Sequence, residues 1–231
     1  MGDALPPFPL IIPNLRLPMK LNNQAKLFAA ILLTTTLNLP LPAQDAKPGG
    51  APDQAAMMEM MMNLAKPGEN HKILEATVGS WTYVMKYWVN PDPAAPPMQT
   101  KGTITTKPAM GGRYFITDTA AKMQMPGPDG KMTDMDFKGQ ATDGYDNVKK
   151  KFVSSWIDNM GTGILISEGT YDPATKTLTY ASEYEPMPGM KTKVRQTTTY
   201  TDHDHYTMQF FEMRGPAEVK TMEIVATRVG K

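Results

Sequence analysis

Methionine is the side chain with the most conspicuous chemical potential in this sequence. The chain of 231 residues contains 20 methionines and no cysteine. Closely spaced methionines occur at Met123-x-Met125, Met132-x-x-Met135 and Met187-x-x-Met190, and throughout residues 57–62. Thioether sulfur is a soft ligand that suits Cu(I), so this spacing allows a methionine-based copper site. No histidine accompanies these pairs, and methionine is also a flexible apolar filler, so ordinary packing explains the pattern as well.

The histidines, carboxylates and one arginine give weaker signals for chemistry. His203 and His205 alternate with aspartates, which is a zinc-like spacing, although a solvated turn has the same composition. A buried pair of strand carboxylates would supply a general acid and base, and Arg113 follows two glycines that favour anion binding or a turn. The candidate carboxylates are Asp136, Asp158 and Glu168.

Motifs of the common enzyme classes are missing from the sequence. It contains no cysteine nucleophile, no Gly-x-Ser-x-Gly elbow, no His-Glu-x-x-His metal motif and no phosphate-binding glycine loop. We therefore expect no cofactor and no metal. We favour a non-enzymatic function over the alternative of an enzyme that uses a carboxylate and Arg113 inside the fold.

A series of short β-rich segments follows Val78. Gly, Pro, Asn and Asp residues separate them, and each segment spans about 8–11 residues. The predicted strands, A to J, are Trp81–Val89, Thr100–Thr106, Tyr114–Ala121, Thr133–Thr142, Lys150–Ile157, Gly163–Tyr171, Thr177–Glu185, Thr192–Thr201, His205–Glu212 and Val219–Val229. The connections are too short for crossover helices, so neighbouring strands must be antiparallel. Because an open sheet of this size exposes two edges, we predict an all-β fold, a ten-stranded antiparallel up-and-down barrel, with a β-sandwich as the alternative.

The residues before the first strand predict export. Lys20 and Lys26 precede a short apolar run, Leu27–Leu39, and the small residue Ala43 follows it. This pattern is typical of a secretory signal peptide, here residues 1–43 with Met19 as the expected translation start, and the run is too short for a stable membrane span. We expect a periplasmic or secreted protein.

The mature chain is predicted to contain one domain. Residues 44–65 predict a linker and a short methionine-rich helix, which Asp53 caps and Pro67-Gly68 ends. Residues 66–231 are predicted to form the barrel. The formal net charge of the whole chain is +1, and no basic patch dominates, so nucleic acid is not an expected partner.

Six short motifs, in their order and spacing, resemble those of one bacterial family. They are Pro67-Gly68-Glu69-Asn70-His71, Gly79-Ser80-Trp81, Gly111-Gly112-Arg113-Tyr114, Gly144-Tyr145-Asp146-Asn147, Trp156-Ile157-Asp158 and Thr227-Arg228. The set is similar to domain of unknown function family 1579, a secreted lipocalin-like group, over about residues 66–229. The resemblance implies a lipocalin-like barrel whose closed end is filled by Trp81 and covered by Arg228. It implies no particular activity or ligand.

The loops of an up-and-down barrel alternate between its two ends, so each end has its own composition. The A–B, C–D, E–F, G–H and I–J connections share one end, and all of them contain methionine. We predict that this end is the open mouth and that the opposite end is closed, with Gly144 and Asp146 shaping a tight D–E turn. The residues assigned to the closed end are Gly79, Trp81, Gly111, Gly112, Arg113, Gly144, Tyr145, Asp146 and Arg228.

Barrels of this class commonly hold one small ligand, so we predict that the open end binds a small apolar or amphipathic molecule. The predicted ligand-binding residues are Tyr83, Met85, Tyr87, Met98, Met125, Trp156, Asp158, Met187 and Met190. The aromatic members of this set are also suited to a packed core, in which case the interior would hold no ligand.

Overall fold

The computed structural model describes residues 53–88, 95–127 and 131–230, which form two helices and ten strands. The helices are α1 (Gln54–Leu64) and α2 (Glu69–Glu75). The strands are β1 (Gly79–Tyr87), β2 (Met98–Ala109), β3 (Tyr114–Pro126), β4 (Met132–Asp146), β5 (Lys151–Asp158), β6 (Leu165–Asp172), β7 (Thr177–Tyr184), β8 (Thr192–Tyr200), β9 (His205–Arg214) and β10 (Ala217–Arg228). The predicted signal peptide and linker lie outside the described residues.

The ten strands form one closed antiparallel barrel. Each strand pairs with its neighbours in sequence, and β1 pairs with β10 through a register that runs from Trp81↔Arg228 to Tyr87↔Met222. The predicted all-β up-and-down barrel is confirmed, and the β-sandwich alternative is wrong. Closure gives every strand two partners, so the sheet has no exposed edge. The need to avoid exposed edges was the reason for predicting a barrel.

Strand alternation divides the side chains into an inward set and an outward set. On β1, Trp81, Tyr83 and Met85 are buried, whereas Thr82 and Val84 are exposed. The register carries this alternation around the barrel, so that the inward residues of each strand can be followed from strand to strand.

The methionine-rich helix α1 is present where the sequence predicts it. The Asp53 side chain accepts a hydrogen bond from the backbone N–H of Ala55 at 3.1 Å and so caps the helix. The helix has no buried residue, and its five methionines, Met57 to Met62 with Glu59 among them, are exposed. Neither α1 nor α2 has the length and apolar character required to span a membrane.

The second helix, α2, is a correction to the prediction of a single short helix. Pro67-Gly68 ends α1, but Gly68 is also the N-cap of α2, and the Nδ1 atom of His71 accepts a hydrogen bond from the Gly68 N–H at 3.0 Å. The buried Leu74 packs with Phe115 and Phe152. The helix therefore plugs the base of the barrel.

Several strands are longer than predicted. β4 extends to Asp146, four residues beyond the predicted end, because its partner strands supply hydrogen bonds that local propensity does not reveal. Gly144 consequently lies within β4, opposite Tyr114 and Val153, so its predicted position in a tight turn is wrong. The turn is formed by residues 147–150, where Lys150 has a φ of 57°.

Candidate functional site

Small side chains occupy part of the interior wall formed by β4, β5 and β6, between large ones such as Phe137 and Phe152. The register places Asp143 opposite Ser154 and Ser154 opposite Ser167, and Ala141 lies in the same inward row as Asp143. Ala141, Asp143 and Ser154 keep some accessible surface although they face inward. Because these side chains face the inside of a closed barrel, their accessible surface indicates unfilled space there, which we call the lumen.

The opposite wall carries large apolar side chains. Met208, Phe210 and Met222 on β9 and β10 pack against a buried cluster that includes Met85 and Ile224. The barrel interior is therefore amphipathic: a patch of small polar side chains, which we call the polar wall, lies among large apolar ones.

Two aromatic rings lie against the polar wall because a glycine lies beneath each of them. The Trp156 indole occupies the position where a Cβ atom of Gly139 would lie, and the Tyr180 ring does the same at Gly169. Any larger residue at either glycine would push the ring toward the lumen. Phe137 stacks beside Trp156, with 6.4 Å between ring centroids.

The carboxyl group of Asp143 lies deep within the barrel. The Tyr180 hydroxyl, which reaches across from β7, donates to Asp143 Oδ1 at 3.5 Å, and the Ser154 side chain supplies a second hydrogen bond. Burial raises the pKa of Asp143 to about 6, and the two hydroxyl groups offset only part of the rise. This carboxyl group therefore changes its charge close to neutral pH.

Tyrosine side chains surround this carboxyl group. Burial raises the pKa of Tyr180, Tyr200 and Tyr206, and the negative charge of Asp143 raises the pKa of each one further. The three phenols are consequently protonated near neutral pH and can donate hydrogen bonds. Together with Asp143 and Ser154, they form what we call the Asp143 cluster.

The predicted ligand-binding residues of β1 and β5 all lie on the inward face. Tyr83 and Met85 are buried in the core cluster, whereas Tyr87 is only partly buried and packs against it. Trp156 is also partly exposed, and its Nε1 atom donates to Asp158 Oδ2 at 2.8 Å. The structure therefore gives Tyr87, Trp156 and Asp158 more access to the lumen than Tyr83 and Met85.

The predicted mouth methionines lie at the end opposite α2. Met98 begins β2 opposite Tyr87, and Met125 lies near the end of β3. Met187 and Met190 are exposed in the connection between β7 and β8. The predicted open mouth at this end stays a prediction, as does the copper hypothesis built on Met125, Met187, Met190 and the other closely spaced methionines.

Trp81 fills the closed end. Its side chain is 1 % exposed, its Nε1 atom donates to the Thr77 carbonyl at 2.8 Å, and its ring meets Tyr206 edge-on at 4.7 Å. The guanidinium group of Arg228 lies over the indole, 3.9 Å from the ring centroid.

Arg228 also ties the two ends of the barrel sequence together. It donates hydrogen bonds to the carbonyl groups of Ala76, Val78 and His203 at 3.0, 2.6 and 3.0 Å. Gly79, with a φ of 127°, leaves room for the guanidinium group where a Cβ atom would contact it. A substitution at Gly79 would therefore meet both strain and a steric conflict.

Arg113 lies at the base, outside the lumen. Its guanidinium group donates to the carbonyl groups of Ala65 and Met110 at 2.9 and 3.0 Å. It follows Gly111 and Gly112, which have φ values of 68° and 79°. Arg113 fastens the end of α1 to the β2–β3 turn. Its hydrogen bonds do not support the in-barrel carboxylate–arginine pair considered from the sequence.

Tyr145 and Asp146 shape the base at the end of β4. Tyr145 contacts Phe152 and His71 edge-on, at 4.9 and 5.9 Å between ring centroids. The Asp146 carboxylate accepts hydrogen bonds from the backbone N–H groups of Val148 and Lys149 and so stabilises the following turn. Both residues have local partners that account for their positions.

The carboxylates and paired histidines singled out in the sequence are dispersed. Asp136 is exposed, and Glu168 on the outer face forms ion pairs with Lys149 and Lys151. His203 and His205 are exposed and contact the neighbouring aspartates of their turn. Within the described residues, no group of three or more His, Cys, Asp or Glu side chains is arranged to hold a metal ion.

Asp143 is the functional candidate that sequence reasoning missed. The predicted strand D ended at Thr142, which placed Asp143 in a loop. The signal that could have found it is strand alternation. Every second residue of β4 faces inward, which places Asp143 on the same face as Phe137, Gly139, Ala141 and Tyr145. Its contact with Tyr180 joins β4 to β7, which do not pair with each other, and no local pattern predicts it.

An open groove of about 420 Å³ also crosses the outer face of β5 to β10. Its charged residues largely neutralise each other, because Lys151 pairs with Glu168 at 2.8 Å and Arg195 pairs with Glu218 at 2.7 Å. The Asp143 cluster, in contrast, holds a carboxyl group whose hydrogen-bond partners are neutral. We therefore place the candidate site in the lumen.

The fold and its plugged base define the class of protein: a closed ten-stranded up-and-down barrel of the lipocalin-like type. The chain belongs to the family described as "Protein of unknown function (DUF1579)", whose model matches residues 66–228. This confirms the resemblance drawn from the six sequence motifs.

The barrel is similar in fold to a solved structure, the crystal structure of Rv2717c from M. tuberculosis. The sequence identity is 13%, the match covers 71% of this chain and 100% of that chain, and the TM-score is 0.50. At this identity the similarity concerns the fold alone. A search of curated proteins found no match.

Proposed function

We propose that this protein binds a small amphipathic molecule in the lumen of its barrel. The observation that carries the proposal is the partly accessible polar wall around Asp143, which faces the apolar side chains of β9, β10 and β1. Pockets for small molecules are typically apolar and contain a few convergent polar groups, and the Asp143 cluster supplies such groups.

The methionine-rich end is the proposed route of entry. The base is occupied by α2, Trp81 and Arg228, so a ligand would reach the lumen from the opposite end. The exposed Met187 and Met190 would give this end an apolar surface that adapts to ligands of different shape.

Export to the periplasm or medium belongs to the same proposal. The signal-peptide pattern of residues 1–43 supports it, as does the lack of cysteine, which makes the barrel independent of disulfide formation. An N-terminal sequence of the protein purified from its host would test it, since export predicts a mature chain that begins near Gln44.

The binding proposal can be tested with the neutral fluorophore N-phenyl-1-naphthylamine, whose emission rises in apolar surroundings. We expect saturable binding with a dissociation constant on the order of micromolar. Ser154 and Ser155 offer a matched pair, because they are adjacent identical residues on opposite faces of β5. Ser154→Phe fills the lumen and should abolish binding, whereas Ser155→Phe adds the same side chain outside and should preserve it.

Two results would overturn the binding proposal. One is a wild-type protein that shows no saturable fluorescence change. The other is a folded Ser154→Phe protein that binds the fluorophore as well as Ser155→Phe does, because binding would then occur outside the lumen.

A second candidate function, an enzyme, is favoured by the titration of Asp143. A carboxyl group with a pKa of about 6 beside the Tyr180 hydroxyl has the properties of a general base near neutral pH. The test is to incubate a bound compound with the wild type and with Asp143→Asn and to analyse what is recovered. A compound that the wild type changes chemically and Asp143→Asn leaves unchanged would favour the enzyme over the binding protein.

A further inference from the structure

We infer that the Asp143 cluster recognises the positively charged amine head of an amphipathic ligand, whose apolar body lies against the facing wall of the lumen. This inference rests on the proposed function and adds the chemical class of the ligand. It follows from the hydrogen-bond capacity of the cluster, from its charge balance and from the composition of the two walls.

The Asp143 carboxylate has unused capacity to accept hydrogen bonds. Its two oxygens offer about four lone-pair sites. The recorded donors are the Ser154 side chain and the Tyr180 hydroxyl, and the latter lies at 3.5 Å, the outer limit of a hydrogen bond. A ligand N–H group would therefore find an acceptor that the protein satisfies only in part.

Within the described part of the chain, the Asp143 carboxylate has no counterion. Among the ion pairs of the described residues, none includes Asp143, and neutral hydroxyl groups are the partners that influence its pKa besides burial. Arg228 lies at the base, over Trp81 and hydrogen-bonded to backbone carbonyls. A buried carboxylate without a counterion is unfavourable, and a bound cation would remove that cost.

The groups that face Asp143 from other strands are aromatic or hydroxyl-bearing. Phe115 on β3 and Ser154 on β5 are its direct neighbours in the register. Tyr180, Tyr200 and Tyr206, on β7, β8 and β9, are the titratable residues that respond to its charge. Phenol rings attract cations through their faces, so this surrounding suits an ammonium group better than a carboxylate or phosphate.

The rest of the lumen suits an apolar ligand body. Trp156 stacked with Phe137 lies toward the mouth on one wall, and Met208, Phe210 and Met222 line the other. A short aryl or alkyl chain attached to the amine would contact both walls and displace water from apolar surface.

The test compares three probes that share a phenyl ring and a short chain and differ in the charge of the head. They are 2-phenylethylammonium, the neutral 2-phenylethanol and the anionic 3-phenylpropanoate, each used to displace N-phenyl-1-naphthylamine at about pH 7.5. We expect the ammonium probe to bind at least about tenfold more tightly than the alcohol, as for a charge-assisted hydrogen bond, and the anion to bind most weakly. In Asp143→Asn the difference between ammonium and alcohol should disappear.

Asp136→Asn is the matched control, because Asp136 lies on the outer face of the same strand. It should keep the preference for the ammonium probe. If Asp143→Asn does not fold, the wild-type protein still decides the question, since the ammonium preference should shrink when the pH is lowered to about 5 and Asp143 becomes protonated.

The outcomes separate this inference from the proposed function. Fluorophore binding with no preference for the ammonium probe, or with a preference that survives in Asp143→Asn, overturns the amine inference and leaves lumen binding intact. Tighter binding of the anion overturns it as well. If neither the fluorophore nor any of the three probes binds, the proposed function fails and the inference fails with it.

Discussion

The base of the barrel and the lumen around Asp143 handle buried polar groups in opposite ways. At the base, the Arg228 guanidinium group covers an indole and donates to three backbone carbonyls. In the lumen, the Asp143 carboxyl group has two neutral hydroxyl partners, and burial raises its pKa to about 6. The first arrangement stabilises the fold, whereas the second destabilises the charged group that it contains. Such a cost agrees with the ligand-binding function that we propose for the lumen.

The largest test of this comparison removes one tryptophan from each region. Trp81→Ala deletes a side chain that is 1 % exposed and should lower the free energy of unfolding by about 3–5 kcal/mol. Trp156→Ala deletes a partly exposed ring that borders the lumen, so its effect should be smaller by at least about 1 kcal/mol. Urea denaturation followed by circular dichroism measures both values. Equal losses would mean that Trp156 belongs to a core as tightly packed as the base.

A smaller effect of the opposite sign is expected for Asp143→Asn. The Asp143 carboxyl group holds its proton more tightly in the folded protein than in the unfolded chain, since its pKa rises from 3.8 to about 6 on folding. The free energy of unfolding contributed by Asp143 therefore falls as the pH rises through this interval. At about pH 7.5 the asparagine variant should be more stable than the wild type by roughly 3 kcal/mol, and the two should converge below about pH 4.

Denaturation curves recorded across that interval provide the measurement, with Asp136→Asn as the control that should follow the wild type. A variant that is less stable than the wild type at neutral pH would show that the Asp143 carboxylate stabilises the fold, which would place it with Arg228 rather than apart from it.

The smallest effect is expected at α1, which lies beyond the base. Removal of residues 1–62 deletes most of a helix that has no buried residue, and it should change the free energy of unfolding of the barrel by less than about 0.5 kcal/mol. The contacts of Arg113 with Ala65 and of Asn147 with Leu64 and Lys66 remain in the shortened chain. A larger loss in urea denaturation would mean that the methionine face of α1 contributes to the barrel.

The base could be predicted from the sequence more completely than the lumen. The positions of Gly79, Trp81 and Arg228 form a pattern of fixed spacing, and the strand count fixes which loops share an end. Their contacts lie near strand ends, and turn residues in the sequence indicate where those ends are. The barrel itself followed from short connections and the need to cover sheet edges.

The lumen depends on register, which local sequence does not specify. Asp143 faces inward only because β4 continues past the position where strand propensity weakens. Its hydrogen bond with Tyr180 depends on the curvature of the sheet and on Gly169, which leaves room for the Tyr180 ring. Tyr83 and Met85 were correctly placed on the inward face. The sequence left open whether Tyr83 lines a ligand site or packs in the core, and the structure places both residues in the core cluster.

The pairing of β1 with β10 has a consequence for how the protein folds. The other strand pairs join neighbours in sequence and form hairpins, which assemble quickly. The seam between β1 and β10 instead joins residues at the two ends of the barrel sequence, such as Trp81 and Arg228, and it bears the entropy cost of closing the full ring. The seam should therefore form last and open first. Loss of the Arg228 contacts would then chiefly raise the rate of unfolding and leave the rate of folding nearly unchanged.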